Sequence, residues 1–196
     1  MAVFTFTTLD APSGLTFVNG VNDSGQIVGS FLNSHGFLYS GGVFTTLDAP
    51  GAISTLASGI NDAGNVVGSF SDGSGNHGFL YSGGTYLTLN DPSATNGTNA
   101  NGINAAGQIV GAYKDASGVH GFVYSGGVYT TLDDPLASFA NTQANGINDL
   151  GQIVGTYSNA TGTHGFLYSN GSPLRAHIYR PSWGRADDGM RRRRRR

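Results

Sequence analysis

Four copies of one block, GINDxGxIVG, run through this chain, beginning at Gly20, Gly59, Gly102 and Gly146. A second block, HGF(L/V)YS, follows each copy, at His35, His77, His120 and His164. Self-similarity at a spacing of about forty residues marks a repeat architecture, in which each unit buries its apolar faces against its neighbours. Within a unit, β-branched and aromatic runs are bounded by Gly, Asn, Asp and Pro, which predicts strands and turns. The third copy shows the pattern: TNANGIN, a turn at Ala105-Ala106-Gly107, QIVGAY, the loop KDASGV, HGFVYS, Gly126-Gly127, and VYTTLD. That makes four strands per unit. With 32 Gly and no Glu in 196 residues, long helices are not expected.

The turns carry their own chemistry. Gly-Gly after HGFLYS suits a two-residue hairpin whose central positions both take positive φ, and copy four has Asn170-Gly171 there, the other favoured pair. The Asn-Asp-x-Gly stretch before QIVG suits an Asx-type bend. Adjacent residues such as Ile109 and Val110 point to opposite sides of a strand, and both are apolar. A sheet with one wet face would alternate, so these sheets expect protein on both sides. The glycine of IVG (Gly29, Gly68, Gly111, Gly155) is expected to admit an aromatic ring from the next sheet.

Small four-stranded sheets stacked face to face suggest an all-β fold, a β-propeller. The chain opens with FTTLDAP at Phe6 to Pro12, which repeats Phe44 to Pro50, while copy four departs from the pattern after its Asn-Gly turn. We therefore expect a four-bladed propeller closed by the N-terminal strand pairing into the last blade, over residues 1–174. A β-solenoid and a fragment of a larger propeller are the alternatives. Residues 175–196 hold nine Arg and the only Trp, and are expected to be a disordered tail. Closure would leave the chain a monomer.

The HGFLYSGG and GINDxGQIVG blocks resemble the HAF repeat of bacterial extracellular proteins, with Gly36, Gly78, Gly121 and Gly165 in place of its Ala. The likeness covers residues 6 to about 171. It implies a secreted or cell-surface location and carries no reaction and no catalytic residues. The opening MAVFTFTTLDAP has no basic n-region, so no secretory signal is expected in it. Asp23-Ser24-Gly25, Asp62-Ala63-Gly64 and Asp149-Leu150-Gly151 are also similar to the Asp-box turn of sialidase-like propellers, a structural feature.

Through Leu174 the chain has one Lys and ten Asp, a balance that repels phosphates. Nucleic acid is not an expected partner of the repeats, and no apolar run reaches the length of a membrane span. The absence of Cys removes disulfides and thiolate metal sites. The four repeat histidines are expected to bond their own loops and not to converge on a metal. Asp72 and Asp115 lack the further carboxylates that a strong calcium site uses, and read as turn formers. Without Glu or Arg in the repeats, and with Ser, His and Asp spread alike over the copies, we expect no catalytic residues, no cofactor and no enzyme. Binding is the expected role, as a scaffold for a protein or glycan partner. A multivalent carbohydrate-binding propeller is the alternative, and a hydrolase a third. Tyr39, Tyr81, Tyr124 and Tyr168, one per copy, are the candidate ligand-binding residues, although strand tyrosines also pack between blades.

Overall fold

A computed structural model describes residues 4–11, 14–31, 34–138, 140–169 and 172–174. They form sixteen strands in four antiparallel sheets, one per repeat. Sheet 1 contains β1 (Thr16–Val21), β2 (Ile27–Phe31), β3 (His35–Ser40) and β4 (Val43–Leu47). Sheet 2 contains β5 (Ser54–Ile60), β6 (Val66–Ser71), β7 (Asn76–Ser82) and β8 (Thr85–Leu89). Sheet 3 contains β9 (Thr98–Ile103), β10 (Ile109–Lys114), β11 (Val119–Ser125) and β12 (Val128–Leu132). Sheet 4 contains β13 (Thr142–Ile147), β14 (Ile153–Asn159), β15 (Gly162–Ser169) and β16 (Ser172–Leu174). Each sheet is an up-and-down meander in sequence order.

Turn chemistry sets these boundaries. Gly83 and Gly84 take φ of 56° and 88°, a pair of left-handed residues that lets β7 and β8 join with the twist of the flanking strands. The matching Asn170-Gly171 lies outside the described residues. At the other turn, the side chain of Asn104 folds back so that its Oδ1 accepts from the Gln108 N–H at 2.9 Å. Gly107 N–H closes the same bend on the Asn104 carbonyl at 3.0 Å. Asn22, Asn61 and Asn148 build their turns in the same way.

The sheets stack in series. The first strand of each new sheet packs across the first three strands of the sheet before it: β5 on β1–β3, β9 on β5–β7, and β13 on β9–β11. Three apolar clusters fill the joints. Val28, Leu47, Ala57, Val66 and Phe79 lie between sheets 1 and 2. Val67, Leu89, Ala100, Ile109 and Phe122 lie between sheets 2 and 3, and Val110, Ala144 and Ile153 between sheets 3 and 4. Val66 and Val67, adjacent in β6, are both fully buried, one in each joint, as two-sided strands require. Each fully buried Phe or Val contributes roughly 1.5–3 kcal/mol over its exposed state.

A polar ladder runs beside the apolar joints. Asn22, Asn61 and Asn104 each donate Nδ2–H to the carbonyl of the corresponding Asn one sheet onward, at 3.0, 3.0 and 3.1 Å. A bulge in the first strand of each sheet, such as the shift between Val18 and Gly20, leaves one residue without a cross-strand partner. Where that residue is Asn it reaches the next sheet: Asn19 to the Ala57 carbonyl and Asn101 to that of Ala144, both at 2.8 Å. In sheet 2 the bulge residue is Ser58, whose side chain is too short for the same reach.

Two expectations need correction. The glycine of IVG accommodates an aromatic ring of its own sheet: a Cβ on Gly111 would meet the Phe122 ring at 2.8 Å and the Asn99 carbonyl, both across the sheet. The ring comes from the cross-strand partner, because Gly111 and Phe122 sit opposite each other in the β10–β11 register. The closing strand also differs from expectation. Residues 4–10 form no strand, and Phe6 is 93% exposed. The edge beside β15 is held by β16, which pairs with Leu167 to Ser169. Among the described residues no extensive contact joins a strand of sheet 1 to a strand of sheet 4. The predicted tail at 175–196 lies outside the described residues.

Candidate functional site

The most polar structured feature of each repeat is the histidine that opens the third strand. Its ring packs on the aromatic residue near the end of the second strand: Phe31 with His35, Phe70 with His77, Tyr113 with His120 and Tyr157 with His164, at centroid distances of 5.4, 5.1, 4.9 and 5.1 Å. The cross-strand registers Phe31↔His35 and Tyr113↔His120 put each pair side by side. Clamped against that ring, the imidazole in the second and third repeats joins the preceding loop to the end of the fourth strand.

His120 is the fullest case. Its Nδ1 lies 2.8 Å from Asp133 Oδ2, while its Nε2 lies 2.9 Å from Ser117 Oγ and 3.2 Å from Asp115 Oδ1. In the second repeat Asn90 replaces the distal aspartate, with Ser74 and Asp72 on the other side of His77. His164 bonds Thr161 and Asn159, and His35 bonds Asp48. His77, His120 and His164 thus bond their own loops, and His35 bonds Asp48 beyond the fourth strand. Among the described residues, no three His, Asp or Glu side chains gather where they could hold a metal.

The string Ser117–His120–Asp133 has the connectivity of a nucleophilic triad, and the complete set occurs in copy three. Carboxylates lie on both sides of its imidazole. Burial opposes charge on the His120 ring, but the Asp133 and Asp115 hydrogen bonds outweigh it and raise the pKa above the ordinary 6.5. When it is protonated the ring donates from both nitrogens and has no lone pair left to accept a hydroxyl proton. Ser117 Oγ, for its part, donates to Asp115 Oδ1 at 2.7 Å. Asp115 is held at a pKa of about 2, first by the Ser117 hydroxyl, then by the Ser117 N–H and the Gly118 N–H. Asp72 is held there in the same way by Ser74 and Gly75. One oxygen of each carboxylate is thus committed to its own loop.

Beside His77 a cleft of about 470 Å³ opens between sheets 2 and 3, lined by Ser74, Asn76, His77, Asn90, Thr95 and Asn96 among others. Its walls carry hydroxyl and amide groups together with the His77 imidazole and the Asp91 carboxylate. The loops that form it are the two segments whose length varies between repeats.

The candidate tyrosines lie elsewhere. Tyr81, Tyr124 and Tyr168 are half-buried against the three inter-sheet clusters. Tyr39, Tyr81 and Tyr124 each rest on the aromatic of the following strand, Phe44, Tyr86 and Tyr129, at 4.8–4.9 Å. Burial holds the Tyr86 hydroxyl up to about 12. Tyr81, Tyr124 and Tyr168 thus pack at three separate joints, and Tyr39 rests on Phe44 within sheet 1. Sequence reasoning missed the aromatic clamp, although its signal is present: an aromatic residue stands two positions after the IVG glycine in every copy. The thirteen-residue spacing from His35, His77 and His120 to Asp48, Asn90 and Asp133 is a second signal of the same kind.

No family model matches the chain, and no curated protein is similar to it. Among the described residues, no helix is long and apolar enough to cross a membrane.

Proposed function

We propose that the chain is a non-enzymatic binding scaffold, a row of propeller-type blades that presents polar rim clefts to a protein or glycan partner. The cleft at Ser74, Asn76, His77, Asn90, Thr95 and Asn96 carries this reading. Its amide and hydroxyl groups, set beside the His77 imidazole and the Asp91 carboxylate, suit sugar hydroxyls or a peptide backbone. The committed hydrogen bonds of His120 and Asp115 favour the same conclusion, because groups fixed in mutual contact position a loop. Cell-surface location follows from the HAF-like blocks alone and is part of the proposal. So is the arrangement of the sheets as blades about an axis. A ring of four is less well supported than an open arc, since it needs sheet 4 to meet sheet 1.

The second reading, a lectin with one sugar site per repeat, is favoured by the recurrence of the histidine clamp in all four copies. A glycan array followed by titration calorimetry separates the two. A single class of ligand bound at the cleft, weakened by Asn90→Ala and Asn96→Ala, supports the scaffold reading. Saturation at several equivalent sites supports the lectin. Turnover of a glycoside or ester, abolished by Ser117→Ala, would overturn both.

A further inference from the structure

Each end of the stack presents one half of a joint that the chain builds three times over. At the front, Val154 is 51% exposed, although its counterparts Val28, Val67 and Val110 are fully buried. At the back, Val18 and Val21 are 53% and 65% exposed. Their counterparts Ala57, Ala100 and Ala144 are fully buried, and Ile60 and Ile103 nearly so. The polar ladder stops at the same places. Asn148 Nδ2 bonds only its own Gln152, and the Asn145 amide has no acceptor among the described residues, whereas Asn104 and Asn101 at these positions cross to the next sheet. The Ala105 N–H donates to Asp149 Oδ1 and the Asp23 N–H to Asp62 Oδ1, both across a joint, while the Asp149 N–H has no such acceptor among the described residues.

We propose that a second copy of this chain covers these faces, head to tail, with sheet 4 of one copy stacked on sheet 1 of the next. The three joints inside the chain supply the geometry. By their register, Asn148 Nδ2 donates to the Asn22 carbonyl of the neighbour, Asn145 Nδ2 to its Val18 carbonyl, and the Asp149 N–H to its Asp23 carboxylate. The apolar match follows the same rule: Val154 covers the position that Val110 covers in the third joint, and Val18 stands where Ala144 stands. The N-terminal segment agrees with this direction. The Ala11 N–H donates to Thr16 Oγ1 at 2.9 Å, as the Ala49 N–H does to Thr55 Oγ1 at 3.2 Å. Two unlike faces that fit one another make a heterologous contact, which closes into a ring or continues as a series. The monomer expected from sequence is the opposing outcome of the test.

Complementation of half-dead variants tests it. Val18→Asp disables the back face and Val154→Asp the front, and both sites are exposed in the single chain, so circular dichroism should show each variant folded. By sedimentation at micromolar concentrations, the wild type is expected at two or more times its 20.2 kDa mass. Each variant alone should sediment as a single chain, and their equimolar mixture as a pair, because one intact front meets one intact back. Asn145→Ala, which alters an exposed amide and no apolar contact, should weaken association about fivefold, the value of one hydrogen bond. A monomeric wild type overturns the proposal. So does a mixture that stays monomeric, or a single variant that still dimerises through a symmetric contact.

Discussion

Asn104 and Asn148 hold the same place in successive turns, but only Asn104 has a sheet beyond it. In both, Oδ1 accepts from the Gln N–H four residues on, and Nδ2 reaches that Gln's Oε1. Asn104 also donates to the Asn148 carbonyl at 3.1 Å and is 2% exposed. Replacing either by Ala removes the turn bonds, and Asn104→Ala additionally removes a buried inter-sheet bond. A net hydrogen bond contributes about 1 kcal/mol, more where a buried group loses its partner. Asn148→Ala, at an exposed site, should cost about 1 kcal/mol and Asn104→Ala about 2–3 kcal/mol. For a domain of this size 1 kcal/mol corresponds to roughly 2–4 °C in Tm, so the two melting points should differ by about 3–6 °C. Thermal unfolding by circular dichroism, in dilute solution where copies do not associate, reads the difference. Equal costs for the two variants would refute the claim that the Asn ladder couples neighbouring sheets.

Gly111→Ala forces a methyl into the Asn99 carbonyl and the Phe122 ring and should destabilise by about 3 kcal/mol or more. Gly107→Ala meets no atom within 4 Å and carries only the strain of its φ of +76°, about 1 kcal/mol; urea titration ranks the pair, and the reverse order would refute the close approach. Asp133→Asn should lower the His120 pKa, which an NMR titration of the imidazole resonances reads directly; an unmoved value would mean that the 2.8 Å contact does not persist in solution. Stability should be greatest between about pH 4 and pH 6.5. The raised His120 pKa contributes fully below its unfolded value of 6.5 and is lost as pH climbs through the folded one. The lowered pKa values of Asp72 and Asp115 contribute above their unfolded 3.8 and are lost as pH falls toward about 2. Denaturant midpoints across this range test both limbs, and a profile that rises above pH 7 would contradict the histidine limb.

Much of the fold is legible in the repeat. The pairing of Gly with Gly at positions 83 and 84 names its hairpin, and Asn104 to Gln108 names its bend, because both depend on residues adjacent in sequence. Two-sided burial is readable from Val66-Val67 and Ile109-Val110, since a strand's alternation needs no partner to be known. What cannot be read depends on which surfaces meet. The ring at Gly111 comes from Phe122 of the same sheet, a distinction set by strand register and not by composition. The likeness of Phe6–Pro12 to Phe44–Pro50 suggests closure, but identity of sequence says only that a strand can take that place, not which edge will accept it. The tyrosines recur once per copy because every joint needs the same filler, and equal spacing alone cannot separate a packed ring from a binding one. The site itself is half visible. Its histidines stand out by their recurrence, and the thirteen-residue spacing to Asp48, Asn90 and Asp133 is there to be read, but only the pairing of the third strand with the fourth shows that it marks a contact.

The central claim is that the sheets stack in series and that sheet 4 does not fold back onto sheet 1. A chain without native cysteine permits a direct measurement. Val110→Cys with Ala144→Cys places two thiols in the joint between sheets 3 and 4, and Val18→Cys with Val154→Cys places two at the equivalent positions of the open ends. Under mild oxidation in dilute solution, the account predicts a bridge within the chain for the first pair and none within the chain for the second, whose links form only between chains as concentration rises. An intrachain disulfide in the Val18→Cys, Val154→Cys variant, forming as readily as the interior one, would contradict it.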